Sequence, residues 1–149
     1  MFSMNWIEDG LRFSCGQCGN CCTGSPGYVW MTVDEMKIMA LELAMEFDDF
    51  TSQYIRKINE SYSLIEKANG DCVFWKKHLG CLVYKSRPIQ CKTYPFWPEI
   101  TNDRKKWKLE AKECLGIKKS LDNNEGYFYT KQKISDNVEL SKKNDPLQQ

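Results

Sequence analysis

The sequence predicts a small α+β domain whose cysteine-rich loops converge on a metal site. Three observations predict it. A capped, helix-periodic stretch is closely followed by a second one. Short apolar segments alternate with turn signals. Eight cysteines fall into one dense group and one sparse group. At 149 residues, the chain suits one domain that buries roughly two-thirds of its unfolded surface. With 42% hydrophobic and 28% charged residues, it excludes a globally disordered or low-complexity protein.

The first ten residues carry Glu8 and Asp9 and lack a basic region followed by an apolar one. This argues against a signal peptide, so the expected location is the cytoplasm. From Phe13 to Val33 no residue is charged over 21 positions, which by length alone spans a bilayer. Gly16, Gly19, Gly24, Gly27, Pro26 and Asn20 within it rule that reading out, because a span needs apolar residues and a satisfied backbone. The stretch reads as a tight loop.

Thr32-Val33-Asp34-Glu35 is a capping-box pattern with acids at the positive end of a helix dipole. Val33, Met36, Met39 or Ala40, Leu43 and Phe47 repeat at helical spacing. Asp48-Asp49 predicts a break, and a second helix is expected from about Thr51 to Asn59, with Phe50, Tyr54, Ile55 and Ile58 on its apolar side. Two short helices this close form an αα-hairpin. Short antiparallel strands are expected next. Tyr62–Glu66 and Asp71–Trp75 flank the Asn69-Gly70 turn signal, and Gly80–Tyr84 reads as a further strand. Arg87-Pro88 opens a helical turn. Lys106–Glu113 suits either a helix or a strand. Tyr127–Ile134 reads as a weak strand, and the last dozen residues as a polar, mobile end.

Cys15, Cys18, Cys21 and Cys22 place four thiols within eight residues. A C-x2-C step lets two thiolates reach one metal from a single turn, and three such positions in a row match the opening of a ferredoxin run. The fourth position differs, since Cys22 follows Cys21 directly. Cys72, Cys81, Cys91 and Cys114 each lie near a turn signal and can supply further ligands. Eight thiols make two four-thiolate sites, or one cluster with spare thiols. In a reducing compartment such a set reads as metal ligation before disulfides. A free cysteine is often only a small buried hydrophobe. That alternative suits Cys72 or Cys114 better than four thiols in eight residues. His78 is the single histidine, so the implied cofactor is an iron–sulfur cluster or zinc with all-cysteine ligation.

Residues 76–119 carry 12 Lys or Arg against 4 Asp or Glu, interleaved with Tyr84, Tyr94, Phe96, Trp97 and Trp107. Such a block can bind nucleic acid. Charge compensation is the preferred reading: Lys76, Lys77, Lys85, Arg87 and Lys92 lie close in sequence to the thiols, and nearby cations favour thiolates. Arg87 is the best polar candidate for a donor to the thiolates. Trp75, Trp97 and Trp107 read as core or as cover for the sulfur site.

These residues resemble the cysteine-cluster family named for its C-x-x-C-x-x-C-C motif (YkgJ-type), a zinc- or iron-chelating domain. Phe13-x-Cys15-x-x-Cys18-Gly19-x-Cys21-Cys22 looks like its signature, and Met31–Glu35 matches the helix that follows. Asp71–Phe74, Gly80–Tyr84 and Arg87-Pro88-x-x-Cys91-Lys92-x-Tyr94-Pro95-Phe96 are similar to its second half. Cys114-x-Gly116-Ile117 resembles its closing cysteine. Trp75 stands where an aliphatic residue is common, and Lys92 where arginine is. The resemblance implies iron–sulfur or zinc binding, with some members labelled oxidoreductases, and it names no substrate. Residues 1–119 are the expected metal-binding domain and 120–149 a C-terminal extension.

Two functions follow as expectations. One is an iron–sulfur protein, in the sharpest form an oxidoreductase with a redox partner. The other is a non-enzymatic zinc module, or a metal chelator, that binds a protein partner. No membrane partner is expected. No H-E-x-x-H, P-loop or Ser/His/Asp pattern points to hydrolysis. The C-x3-C-x2-C spacing of radical enzymes is absent.

Overall fold

A computed structural model of the chain describes residues 4–19, 21–23, 27–118 and 127–146. The expected division at residue 119 and the loop residues Asn20, Gly24, Ser25 and Pro26 lie outside the described residues. In order, the elements are β1 (Gly10–Phe13), β2 (Val29–Met31), α1 (Val33–Glu42), α2 (Phe47–Tyr54), β3 (Ile55–Ile58), β4 (Ser61–Leu64), β5 (Trp75–Lys76), β6 (Gly80–Cys81), a 3-10 turn (Tyr84–Ser86), α3 (Ile89–Thr93), α4 (Pro98–Thr101), α5 (Arg104–Glu113), β7 (Tyr127–Thr130) and α6 (Lys131–Ser141). Mixed helices and short antiparallel strands make this an α+β fold. Among the described residues, no helix is long and apolar enough to cross a membrane.

Helix α1 begins as its sequence dictates. The Thr32 hydroxyl accepts from Glu35 N at 3.1 Å, and a Glu35 carboxylate oxygen accepts from Thr32 N at 3.0 Å, so two otherwise unpaired donors are satisfied reciprocally. Met36, Met39 and Ala40 face inward. Val33, also expected on that face, is exposed. Helix α2 follows after a four-residue connection and packs against α1. Asp48 and Asp49 do not break the chain. They occupy the first turn of α2, where carboxylates meet the positive end of the dipole.

Residues 55–58, expected to be helical, form strand β3. Ile55 pairs with Leu64 and Ile58 with Ser61. The turn between them holds Asn59 at φ 55°, a left-handed value asparagine tolerates. Branched residues gain more from cross-strand packing than from one further helical turn. β4 is the centre of a three-stranded sheet, ordered β2-β4-β3. The expected hairpin across Asn69-Gly70 shrinks to one bridge between Glu66 and Cys72, and β5 pairs with β6 instead. The segment 106–113 is helical, within α5. Its N-cap is Asp103, whose carboxylate accepts from Lys106 N at 2.8 Å.

The weak strand expected over 127–134 is shorter. Tyr127–Thr130 pairs with β1, Leu11 opposite Tyr129, and Thr130 then caps α6. Ile134 and Val138 of α6 are fully buried.

The apolar residues form two cores. One gathers Ile7, Phe13, Phe96, Trp107, Ile117 and Ile134 among others. The second gathers Met36, Met39, Phe50, Leu64, Phe74 and Val83. The cysteine loop leaves β1 from the first core and returns to the chain at β2, beside the second.

Candidate metal centre

All eight cysteines line one cavity of about 50 Å³. Its remaining wall includes Phe13 and Tyr94 from the first core, which also holds Cys114, and Leu64 and Val83 from the second. The site therefore lies at the seam between the two cores. Each cysteine arrives differently. Cys15, Cys18, Cys21 and Cys22 come from the loop after β1. Cys72 sits at the bridge to Glu66, Cys81 on β6, Cys91 on α3, and Cys114 at the C-terminal cap of α5.

Backbone contacts hold the dense group against the sparse one. Cys72 N donates to Cys22 O at 2.6 Å, and Cys22 N to Gly19 O at 2.9 Å. Gly19 has φ 88°, and a Cβ there would overlap the Trp75 ring. Only glycine permits both the left-handed backbone and the close approach. Trp75 thereby covers the loop and lines the cavity, as one of its two expected roles requires. Trp107 lies in the first core. Trp97 lines a neighbouring cavity of about 200 Å³, which shares Cys21, Cys22 and Cys72 with the first.

α3 is positioned from two sides. The second carboxylate oxygen of Glu35 accepts from Ile89 N at 2.7 Å. The Gln90 side chain accepts from Trp30 N at 3.1 Å and donates to Tyr28 O at 2.8 Å. The capping glutamate of α1 thus also fixes the helix that carries Cys91.

All eight cysteines are free thiols. Cys21 Sγ and Cys22 Sγ lie 3.8 Å apart. Cys22 donating to Cys21 lowers the Cys21 pKa and raises that of Cys22. Burial pushes the Cys72, Cys81, Cys91 and Cys114 thiols up. Among the described residues, no three His, Cys, Asp or Glu groups already converge as on one bound ion.

Of the five cations expected to compensate thiolates, Arg87 lines the cavity, and Lys76, Lys77, Lys85 and Lys92 do not. Its guanidinium lies 3.8 Å from the Tyr84 ring centroid. Nε donates to Tyr84 O at 3.0 Å, and Nη1 to Cys91 O at 3.4 Å. His78 sits exposed on the turn between β5 and β6, at φ 71°, and is not part of the wall. Sequence reasoning grouped Tyr84 and Tyr94 with the basic block and missed them as cavity walls. Their signal was position, since they flank Arg87 and Cys91 on either side. Tyr94 is anchored by donating its hydroxyl to Glu110.

An α+β domain with eight thiols about one cavity is a cysteine-cluster protein by construction. Residues 14–115 match the CxxCxxCC family, described as "Putative zinc- or iron-chelating domain", and the chain belongs to that family. It is 28% identical over 97 residues to an uncharacterized protein of Methanocaldococcus jannaschii, covering 64% of this chain and 51% of that protein. The chain thus spans about half the length of this curated relative. No solved structure matches it.

Proposed function

We propose that the chain holds an iron–sulfur cluster in this cavity, with cysteine thiolates from both groups as its ligands, and acts as a redox protein. The observation that supports this reading most is the single cavity lined by all eight thiols. Thiolate is the donor that iron–sulfur clusters and zinc select. One water-sized site needs about 10–15 Å³, so a cavity of about 50 Å³ leaves room for more than a single ion. Cys18, Cys21, Cys81 and Cys91 are the first ligands in this reading, with Cys15, Cys22, Cys72 and Cys114 available. An iron–sulfur cluster supplies one-electron redox chemistry. Trp75, Phe13 and Leu64 form the apolar part of the wall and Arg87 its charged part, while Cys15 and Cys21 reach the surface.

The cysteine count favours a second reading. Eight thiols satisfy two zinc ions of four thiolates each, which makes a structural module or a chelator that binds a protein partner.

Metal and acid-labile sulfide analysis, with a visible spectrum, on protein purified without oxygen separates the two. A brown protein with about four iron and four sulfide per chain supports the first. A colourless protein with one or two zinc per chain supports the second. A well-folded chain that carries neither and takes up neither overturns both.

A further inference from the structure

We propose that Arg87 is the fixed counter-charge of the centre, a positioning residue that makes an all-thiolate site tolerable inside the seam. This rests on the proposed thiolate centre and adds the residue that sets its charge balance. Four thiolates around a zinc ion leave a net charge of about −2, and cluster sites with four thiolates are also anionic. A buried net charge is costly unless paired. Among the described residues, the wall offers one cation to offset it. Arg87 lines the cavity, whereas Lys76, Lys77, Lys85 and Lys92 are exposed and lie outside its wall.

Three features separate Arg87 from an ordinary surface arginine. It forms no salt bridge with any described carboxylate, so its charge is not already neutralised. It is held by the Tyr84 ring beneath it and by the carbonyls of Tyr84 and Cys91. Those contacts use Nε and Nη1. It also shares the cavity wall with Cys21, Cys81 and Cys91. These thiols come from three separate parts of the chain. Because arginine stays charged at any accessible pH, the counter-charge does not depend on conditions.

The test is zinc affinity of the full metal-free chain, measured by competition with a chelator at constant pH under reducing conditions. Arg87→Gln is expected to weaken binding by about ten- to a hundredfold, as loss of an outer partner of metal ligands does. Arg87→Lys is expected to fall between the parent and Arg87→Gln, because the charge stays while the stacked, forked hold is lost. Lys85→Gln, removing a nearby cation outside the wall, is expected to change nothing. A thermal melt of each metal-free variant accompanies the titration. If Arg87→Gln alone melts early, Arg87→Lys decides: a loss equal to that of Gln overturns the assignment. Parent-like binding by Arg87→Gln, or an equal loss in Lys85→Gln, overturns it as well while leaving the thiolate centre standing. A parent chain that takes up no zinc and carries no metal as purified removes the centre itself, and Arg87's role with it.

Discussion

Gly19 shows how little freedom the cysteine loop has. Its φ of 88° and the Trp75 ring over its α-carbon demand hydrogen as the side chain. Gly19→Ala is expected to destabilise the fold by about 1–2 kcal/mol from the backbone conformation alone, and by more from the overlap. Urea denaturation of the metal-free chain measures it. The ligands themselves are tested singly. Cys91→Ser is expected to lower bound metal per chain on elemental analysis, because Cys91 sits at the cavity wall on a helix fixed from two sides. Unchanged metal content in that variant removes the sparse group from the centre. At this scale the gathering of thiols was legible in the sequence: four of them fall in eight residues, with one histidine in the chain. The separate fates of Trp75, Trp97 and Trp107 were not, since one residue type serves as cover, cavity wall and core according to what lies across from it.

Among the elements, α1 was the most legible. Its capping box depends only on residues three apart, and such local bonds form wherever the helix forms. The same glutamate does more than the local pattern shows. Besides Thr32, its carboxylate accepts from Ile89 N at 2.7 Å and from the Asn144 side chain at 2.6 Å. Thr32→Ala is expected to cost about 1 kcal/mol, the ordinary worth of a cap. Glu35→Ala is expected to cost about twice that or more, because it also strips bonds to α3 and to the chain after α6. Equal losses by chemical denaturation would reduce Glu35 to a local cap. β3 illustrates the opposite case. Ile55 and Ile58 fit a helical stripe and a strand equally well, and pairing with β4 decided between them.

At the scale of the molecule, two cores meet at the thiol cavity, so the packing of both bears on the thiols. Burial holds four thiols above their usual value of 9.0. Cys22, bonded to Cys21, lies above it too, and Cys21 lies below it. A folded pKa above the unfolded one means that the native state binds more protons there, and stability falls as pH rises past the unfolded value. The metal-free chain is therefore expected to lose stability as pH climbs through about 9, followed by thermal melts across that range. The loaded chain, with its thiolates already deprotonated and bound to metal, is expected to lose less. A second prediction concerns the C-terminal part. Ile134 and Val138 are fully buried, and β7 pairs with β1, the strand that leads into the cysteine loop. A chain ended at residue 118 is expected to lose cooperative unfolding by circular dichroism, because the first core then lacks one wall.

The sequence by itself determined what depends on spacing along the chain. It carried the α+β pattern, the capped start of α1, the dense cysteine group with its thiolate chemistry, and the family signature from residue 14 to residue 115. Only the tertiary structure decided what depends on distance through space. It brought Cys72, Cys81, Cys91 and Cys114 from four separate elements to the same cavity as the loop after β1. It also admitted Arg87 to that cavity while leaving Lys76, Lys77, Lys85 and Lys92 outside. The reason is physical. A capping box or a C-x2-C step is completed within one turn of chain, whereas the seam exists only once two independently packed cores press against each other.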